Sequence, residues 1–124
     1  MSKILIVDDE AFIRLLIEQT LEDLEDKNVQ ILSTDNGEDA LKIIQDEKPQ
    51  VVFLDIMIPR MSGYDVCKTI RLDLKMLDIY IVMLTAKGQE ADKMLSEELG
   101  ANLFITKPFD PDELLSIAEK VLDI

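Results

Sequence analysis

The chain has 124 residues, 26 acidic and 13 basic, for a formal charge of −13, with no histidine, no tryptophan and one cysteine. Without histidine it carries no Ser-His-Asp or Cys-His nucleophile pair, no histidine-ligated metal and no phosphohistidine of its own. A lone Cys67 excludes an internal disulfide and fits a reducing cytoplasm, and the acid excess argues against direct contact with nucleic acid or an anionic membrane.

The hydrophobic fraction is 48%, a globular composition. Met1-Ser2-Lys3 runs straight into Ile4–Val7, too short an apolar run for a signal peptide or a membrane span. The four prolines are scattered and no linker or repeat interrupts the chain, so residues 1–124 read as one domain.

Two periodicities alternate along the sequence. Lys3–Val7 predicts a first strand. Ile13, Leu16, Ile17, Thr20, Leu21 and Leu24 then recur at helical spacing and predict one face of a helix. Val29–Ser33 predicts a second strand. Asn36 predicts the cap of a helix carrying Ala40, Leu41 and Ile44, with Pro49 beyond its end. Val51–Leu54 is apolar without alternation, as in a parallel strand covered on both faces. Ser62 with Asp65 predicts a capped helix running through Val66 and Ile70.

Ile79–Leu84 is another fully apolar strand, ending at Thr85. A helix follows from about Gln89 to Leu99, with Gly100 as its left-handed stop. Leu103–Ile105 is the last strand. Asp110, Pro111 and Glu113 open a final helix whose stripe is Leu114, Ile117, Ala118, Val121 and Leu122. Five strands alternating with five helices predict a doubly wound α/β fold, flavodoxin-like, with a five-stranded parallel sheet in the order 2-1-3-4-5. That order rests on fold statistics and not on any local feature.

The apolar strands end in polar residues: Asp8 and Asp9, then Asp55, Thr85 and Lys107. In a parallel sheet those ends share one edge, and ligands bind there where the strand order reverses. The three aspartates would meet at that point. Two like charges 4 Å apart repel by roughly 4 kcal/mol at an effective dielectric near 20, so the carboxylates either hold protons or hold a cation. An all-oxygen set suits Mg²⁺. A carboxylate nucleophile with a divalent metal, a lysine and a hydroxyl makes a phosphoryl-transfer site. Taken singly, each residue reads as an ordinary cap, turn or surface group; the specificity lies in finding them together at four strand ends.

With these stretches the sequence resembles the receiver domain of bacterial two-component response regulators, the CheY-like family. The matching segments are Ile4–Glu10, Val51–Pro59 with Ser62-Gly63, Val82–Ala86 and Phe104–Phe109, and the likeness runs from Lys3 to Leu122. It implies a phosphorylation-activated switch, not a dedicated enzyme, in which Asp55 accepts a phosphoryl group from a sensor histidine kinase or a histidine phosphotransfer protein. It implies Mg²⁺, or Mn²⁺, held by Asp9 and Asp55 directly, by Asp8 through water and by the Met57 backbone carbonyl.

The resemblance further implies that Lys107 pairs with the phosphoryl group and that the Lys107-Pro108 peptide is cis. Thr85 would move onto the phosphoryl group and Phe104 would turn inward behind it. Phenylalanine here lacks the hydroxyl of a tyrosine, so that step would rest on packing. Met57 and Lys87 would tune the lifetime of the acyl phosphate. The output surface would be the fourth helix, fifth strand and fifth helix, facing a downstream protein or domain, and kinase choice would lie on the first helix, whose exposed residues are read as Arg14, Glu18 and Glu22.

Other readings compete. A phosphatase with an aspartate nucleophile wants a second aspartate two residues on, where this chain has Met57. A flavodoxin-like cofactor binder wants a phosphate loop that the glycines do not form. A receiver fold without activity would not retain all five polar residues. Ending at Ile124 directly after the last helix suits a stand-alone cytoplasmic regulator, and a receiver cut from a longer regulator would read the same. The Asp-Asp pair typical of receivers joined to winged-helix DNA-binding domains is replaced by Asn102-Leu103.

Overall fold

The computed structural model describes residues 1–86 and 90–124; the expectation placed on Lys87 lies outside them. The strands are β1 (Ser2–Val7), β2 (Val29–Thr34), β3 (Val51–Asp55), β4 (Tyr80–Thr85) and β5 (Leu103–Thr106), all parallel, in the order β2-β1-β3-β4-β5. The helices are α1 (Ala11–Leu21), α2 (Gly37–Glu47), α3 (Gly63–Lys68), α4 (Glu90–Glu98) and α5 (Pro111–Leu122). The predicted class and strand order both hold.

Alternate strand residues feed two cores, because successive side chains in a strand point to opposite faces. Leu5, Val7, Val52, Leu54, Ile81 and Met83 pack with Ala40 and Ile44 of α2 and Val66 and Cys67 of α3. Ile4, Ile6, Val51, Phe53, Val82 and Leu84 pack with Ile17 and Leu21 of α1 and Leu114 and Ala118 of α5. Every residue of β3 is buried, as its unbroken apolar run predicts. Each such large side chain stabilises the fold by about 1.5–3 kcal/mol relative to exposure. No described helix is long and apolar enough to cross a membrane.

The predicted caps form. Asn36 Oδ1 accepts from the Asp39 N–H at 2.8 Å, Ser62 Oγ from the Asp65 N–H at 3.2 Å and Asp110 Oδ1 from the Asp112 N–H at 3.0 Å. Gly100 adopts the left-handed conformation with φ 96°.

Two helices end sooner than predicted. Leu24 is buried, but on a 3₁₀ turn (Glu22–Lys27) and not on α1. A 3₁₀ turn brings residues three apart onto one side and so keeps Leu24 inward. The α-helical part of α3 stops at Lys68, and Thr69–Asp73 continues as a π-helical turn that carries Ile70. Arg71 extends from this turn. Its Nε donates to the Gly100 carbonyl at 2.9 Å, Nη1 to the Met76 carbonyl at 2.7 Å, and Nη2 to the Ile79 carbonyl at 2.7 Å and Asn102 Oδ1 at 2.8 Å. One guanidinium thus joins the segment before β4 to the segment before β5.

Candidate functional site

Strand register sets the site. Val7 lies opposite Leu54 across β1 and β3, so the next residues, Asp8 and Asp55, emerge side by side. Thr85 ends β4 opposite Thr106, and Lys107 follows. The Lys107 N–H donates to the Thr85 carbonyl at 2.7 Å, and the Lys107–Pro108 peptide is cis as expected. Asp8, Asp9, Asp55, Thr85 and Lys107 therefore share the C-terminal edge of the sheet.

Asp8 is fully buried, Asp55 and Thr85 are 3% exposed and Asp9 is exposed. One carboxylate oxygen from each aspartate lies within 4.8 Å of the other two, and they form a group able to hold a metal among the described residues. Lys107 Nζ bridges the two buried carboxylates, at 2.7 Å from Asp8 Oδ2 and 3.3 Å from Asp55 Oδ2. The remaining oxygens are held by backbone: Asp8 Oδ1 accepts from the Glu10 N–H at 2.9 Å and Asp55 Oδ1 from the Met57 N–H at 3.2 Å. Each buried carboxylate is thereby oriented at both oxygens.

The electrostatics are those of a site with too much negative charge. Burial first, and then the Asp8 carboxylate, push the Asp55 carboxyl up from 3.8 to about 6, against the opposing pull of Lys107 and the Met57 N–H. Burial pulls the Lys107 ammonium down, but the Asp8 hydrogen bond and the two carboxylate charges outweigh it and hold its pKa above the ordinary value. One lysine does not discharge three carboxylates. A divalent cation with hard oxygen ligands fits this donor set, which contains neither nitrogen nor sulfur.

Phe104 is half-buried on β5 and packs against the core that α2 and α3 cover. Met57 lies on the β3–α3 loop with its side chain 67% exposed. Arg14 departs from the sequence reading. It is not a free surface group of α1, since its Nη1 donates to the Asp8 carbonyl at 2.6 Å, and Glu18 is also half-buried. Arg14 thus ties α1 to the strand end that carries the aspartates. Glu10 had no assigned role; its Oε1 stands 3.8 Å from Lys107 Nζ. Its position directly after Asp8-Asp9 is the only sequence signal for that contact.

The family model "Response regulator receiver domain" matches residues 4–119. The alkaline phosphatase synthesis transcriptional regulatory protein PhoP of Bacillus subtilis is 42% identical over 98% of this chain and 48% of its own length. The phosphate regulon transcriptional regulatory protein PhoB of Pseudomonas aeruginosa is 43% identical over 96% of this chain and 51% of its own. The chain therefore spans about half the length of these curated relatives. The solved structure of the chemotaxis response regulator CheY4 of Vibrio cholerae superposes with a TM-score of 0.84 at 30% identity, over 98% of both chains.

Proposed function

The chain belongs to the response regulator receiver domain family, and from that premise we propose that residues 1–124 form one receiver domain whose phosphoacceptor is Asp55. The observation that carries this reading is the convergence of Asp8, Asp9 and Asp55 with a lysine bridging the two buried carboxylates. The donor is a phosphohistidine on a sensor kinase or a phosphotransfer protein. A carboxylate oxygen of Asp55 attacks phosphorus, the P–N bond breaks, its electron pair returns to the imidazole, and an acyl phosphate remains on Asp55.

Asp9 and Asp55 would hold Mg²⁺ directly, with Asp8 acting through water and the Met57 carbonyl completing the protein ligands. Bound there, the ion offsets the charge of the phosphoryl oxygens and of the clustered carboxylates. Lys107 needs only to leave one carboxylate to pair with a phosphoryl oxygen, since its ammonium already faces Asp55. It stays charged throughout, because the neighbouring carboxylates hold its pKa up.

Adding a dianion with strong acceptors supplies the drive for switching. Thr85, at the end of β4, supplies a hydroxyl to the new group. Phe104, already half inside, turns further into the space behind it. The readout is the face formed by α4, β5 and α5, where Met94, Leu95 and Leu103 are exposed.

The length of the PhoP and PhoB relatives favours one second reading, in which this receiver is the front of a longer regulator with an output domain. The Asn102-Leu103 pair weighs against the type of dimer made by receivers joined to winged-helix DNA-binding domains, and leaves other output domains open. Asn102 Oδ1 is occupied by Arg71 at 2.8 Å and by the Ile81 N–H at 2.8 Å. The acceptor assignment is tested by phosphorylating the protein with acetyl phosphate, trapping the acyl phosphate by borohydride reduction and mapping the modified peptide. Reduction at residue 55 is expected; modification at another aspartate overturns the assignment.

A further inference from the structure

The loop from Ile56 to Ser62 lies beside Asp55, and its geometry is not set by β3 alone. Its ends are tied to β4 and to the loop itself. The Ile56 N–H donates to the Leu84 carbonyl at 3.0 Å, and the Gly63 N–H to the Ile56 carbonyl at 2.8 Å. Its middle is held from outside, by the start of α2. The first N–H groups of a helix have no partner within that helix. Asn36 takes the Asp39 N–H, whereas the Gly37 N–H donates across to the Pro59 carbonyl at 3.2 Å.

Gly37 is buried, and the loop rests on its bare Cα. A Cβ at this position would overlap the Met61 carbonyl oxygen, and would stand 2.6 Å from Met61 Cβ and 3.0 Å from the Met61 carbonyl carbon. Two of those three atoms are backbone, so no rotamer change removes the conflict. The whole loop would have to lift. The loop's working contact is the Met57 N–H, which donates to Asp55 Oδ1 at 3.2 Å.

We infer that Gly37 is a positioning residue for the phosphoacceptor site: by lacking a side chain it lets the start of α2 seat the β3–α3 loop at the height where Met57 meets Asp55. The inference rests on the reading of Asp55 and Met57 given above and adds to it a residue on a different element, which touches neither Asp55 nor the phosphoryl group. The competing account is that Gly37 serves only close packing of α2, with no bearing on the site. The two accounts separate because the cap of the adjacent residue, Asn36, is a bond to the Asp39 N–H within the same helix.

The experiment compares the full chain with Gly37→Ala and Asn36→Ala. Mg²⁺ affinity is read by titration calorimetry, labelling by acetyl phosphate through intact mass, and folding by circular dichroism. Gly37→Ala is expected to keep the helical signal, weaken Mg²⁺ binding about tenfold and slow labelling by a similar factor, the change that displacing a bonded group by a fraction of an ångström produces. Asn36→Ala is expected to lower Tm through the lost Asp39 N–H cap, while Mg²⁺ affinity stays within about twofold because no atom is added against Met61. Unchanged Mg²⁺ affinity in Gly37→Ala overturns the inference, and so does an equal loss in Asn36→Ala.

Should Gly37→Ala not fold, amide NMR of the unaltered protein decides. On titration with Mg²⁺ the Gly37 and Met57 amides are expected to shift with one midpoint; a Gly37 amide that does not respond overturns the inference. If the unaltered protein fails to label at Asp55, the phosphoacceptor reading falls. If it labels and Gly37→Ala matches it, only the role of Gly37 falls.

Discussion

Replacing Asp55 with asparagine removes the proposed acceptor, yet it should make the metal-free protein more stable. The Asp55 carboxyl is raised from 3.8 to about 6, by burial first and by the Asp8 charge second. A rise of that size corresponds to roughly 3 kcal/mol of native-state penalty on the ionised form. The sign follows from a raised acid. The wild type keeps its full stability below pH 3.8 and loses this contribution as pH climbs through about 6. At pH 7.5 the carboxylate is ionised and the penalty is complete.

Asparagine carries no charge and escapes the penalty, and the rise to about 6 is already net of the pull from Lys107, 3.3 Å away. The net gain is then up to roughly 3 kcal/mol at pH 7.5 in EDTA. It should shrink toward zero or reverse by pH 4. Urea unfolding followed by circular dichroism measures it. Adding Mg²⁺ at 100 times its Kd should stabilise the wild type by about 2.7 kcal/mol and the variant by less. A variant less stable than the wild type in EDTA at pH 7.5, or an advantage that does not depend on pH, would refute the claim that Asp55 is strained by its surroundings.

Three further predictions concern groups away from the site. Cys67 is fully buried and burial pushes its thiol up to about 11, with Arg71 opposing. It should resist iodoacetamide at pH 8 until the protein unfolds, and stability should fall from pH 9 toward 11 as the unfolded thiol ionises first; rapid labelling of the native protein contradicts this. Arg71→Ala strands the Gly100, Met76 and Ile79 carbonyls and should cost about 3 kcal/mol or more in urea unfolding, where a loss below about 1 kcal/mol would show that water replaces it freely. Ser96 is fully buried with its hydroxyl beside that of Tyr64, which donates to Asp92 Oδ1 at 2.9 Å, so Ser96→Ala should lower stability by about 1 kcal/mol, and an unchanged or raised Tm would show that the hydroxyl contributes nothing.

Sequence carried the strands best. The run Val51–Leu54 has no polar break, and all of β3 is buried. The aspartates were legible because the strand ends of a parallel sheet share an edge, and the register of Val7 against Leu54 turns that rule into proximity. Leu24 misled because its spacing from Leu21 suits an α-helix and a 3₁₀ turn equally. The shortened α3 was hidden for a similar reason: the extra residue of a π turn leaves Ile70 buried and so leaves no mark in the apolar pattern.

Arg14 and Arg71 were the least legible. Apart from one bond from Arg71 to Asn102 Oδ1, the bonds described for both go to main-chain carbonyls, at Asp8 for Arg14 and at Gly100, Met76 and Ile79 for Arg71, and a carbonyl acceptor has no residue type to read. Gly37 illustrates the same limit. A glycine after a capping asparagine looks like an ordinary helix start, and only the fold brings Met61 against it.

The central claim, that this chain takes a phosphoryl group on Asp55 with the help of a divalent ion, is tested most directly by intact mass after incubation with acetyl phosphate, with Mg²⁺ and with EDTA. The account predicts the gain of one phosphoryl group in Mg²⁺, little or none in EDTA, and none in Asp55→Asn under either condition. No gain in Mg²⁺, or a gain that survives Asp55→Asn, would contradict it.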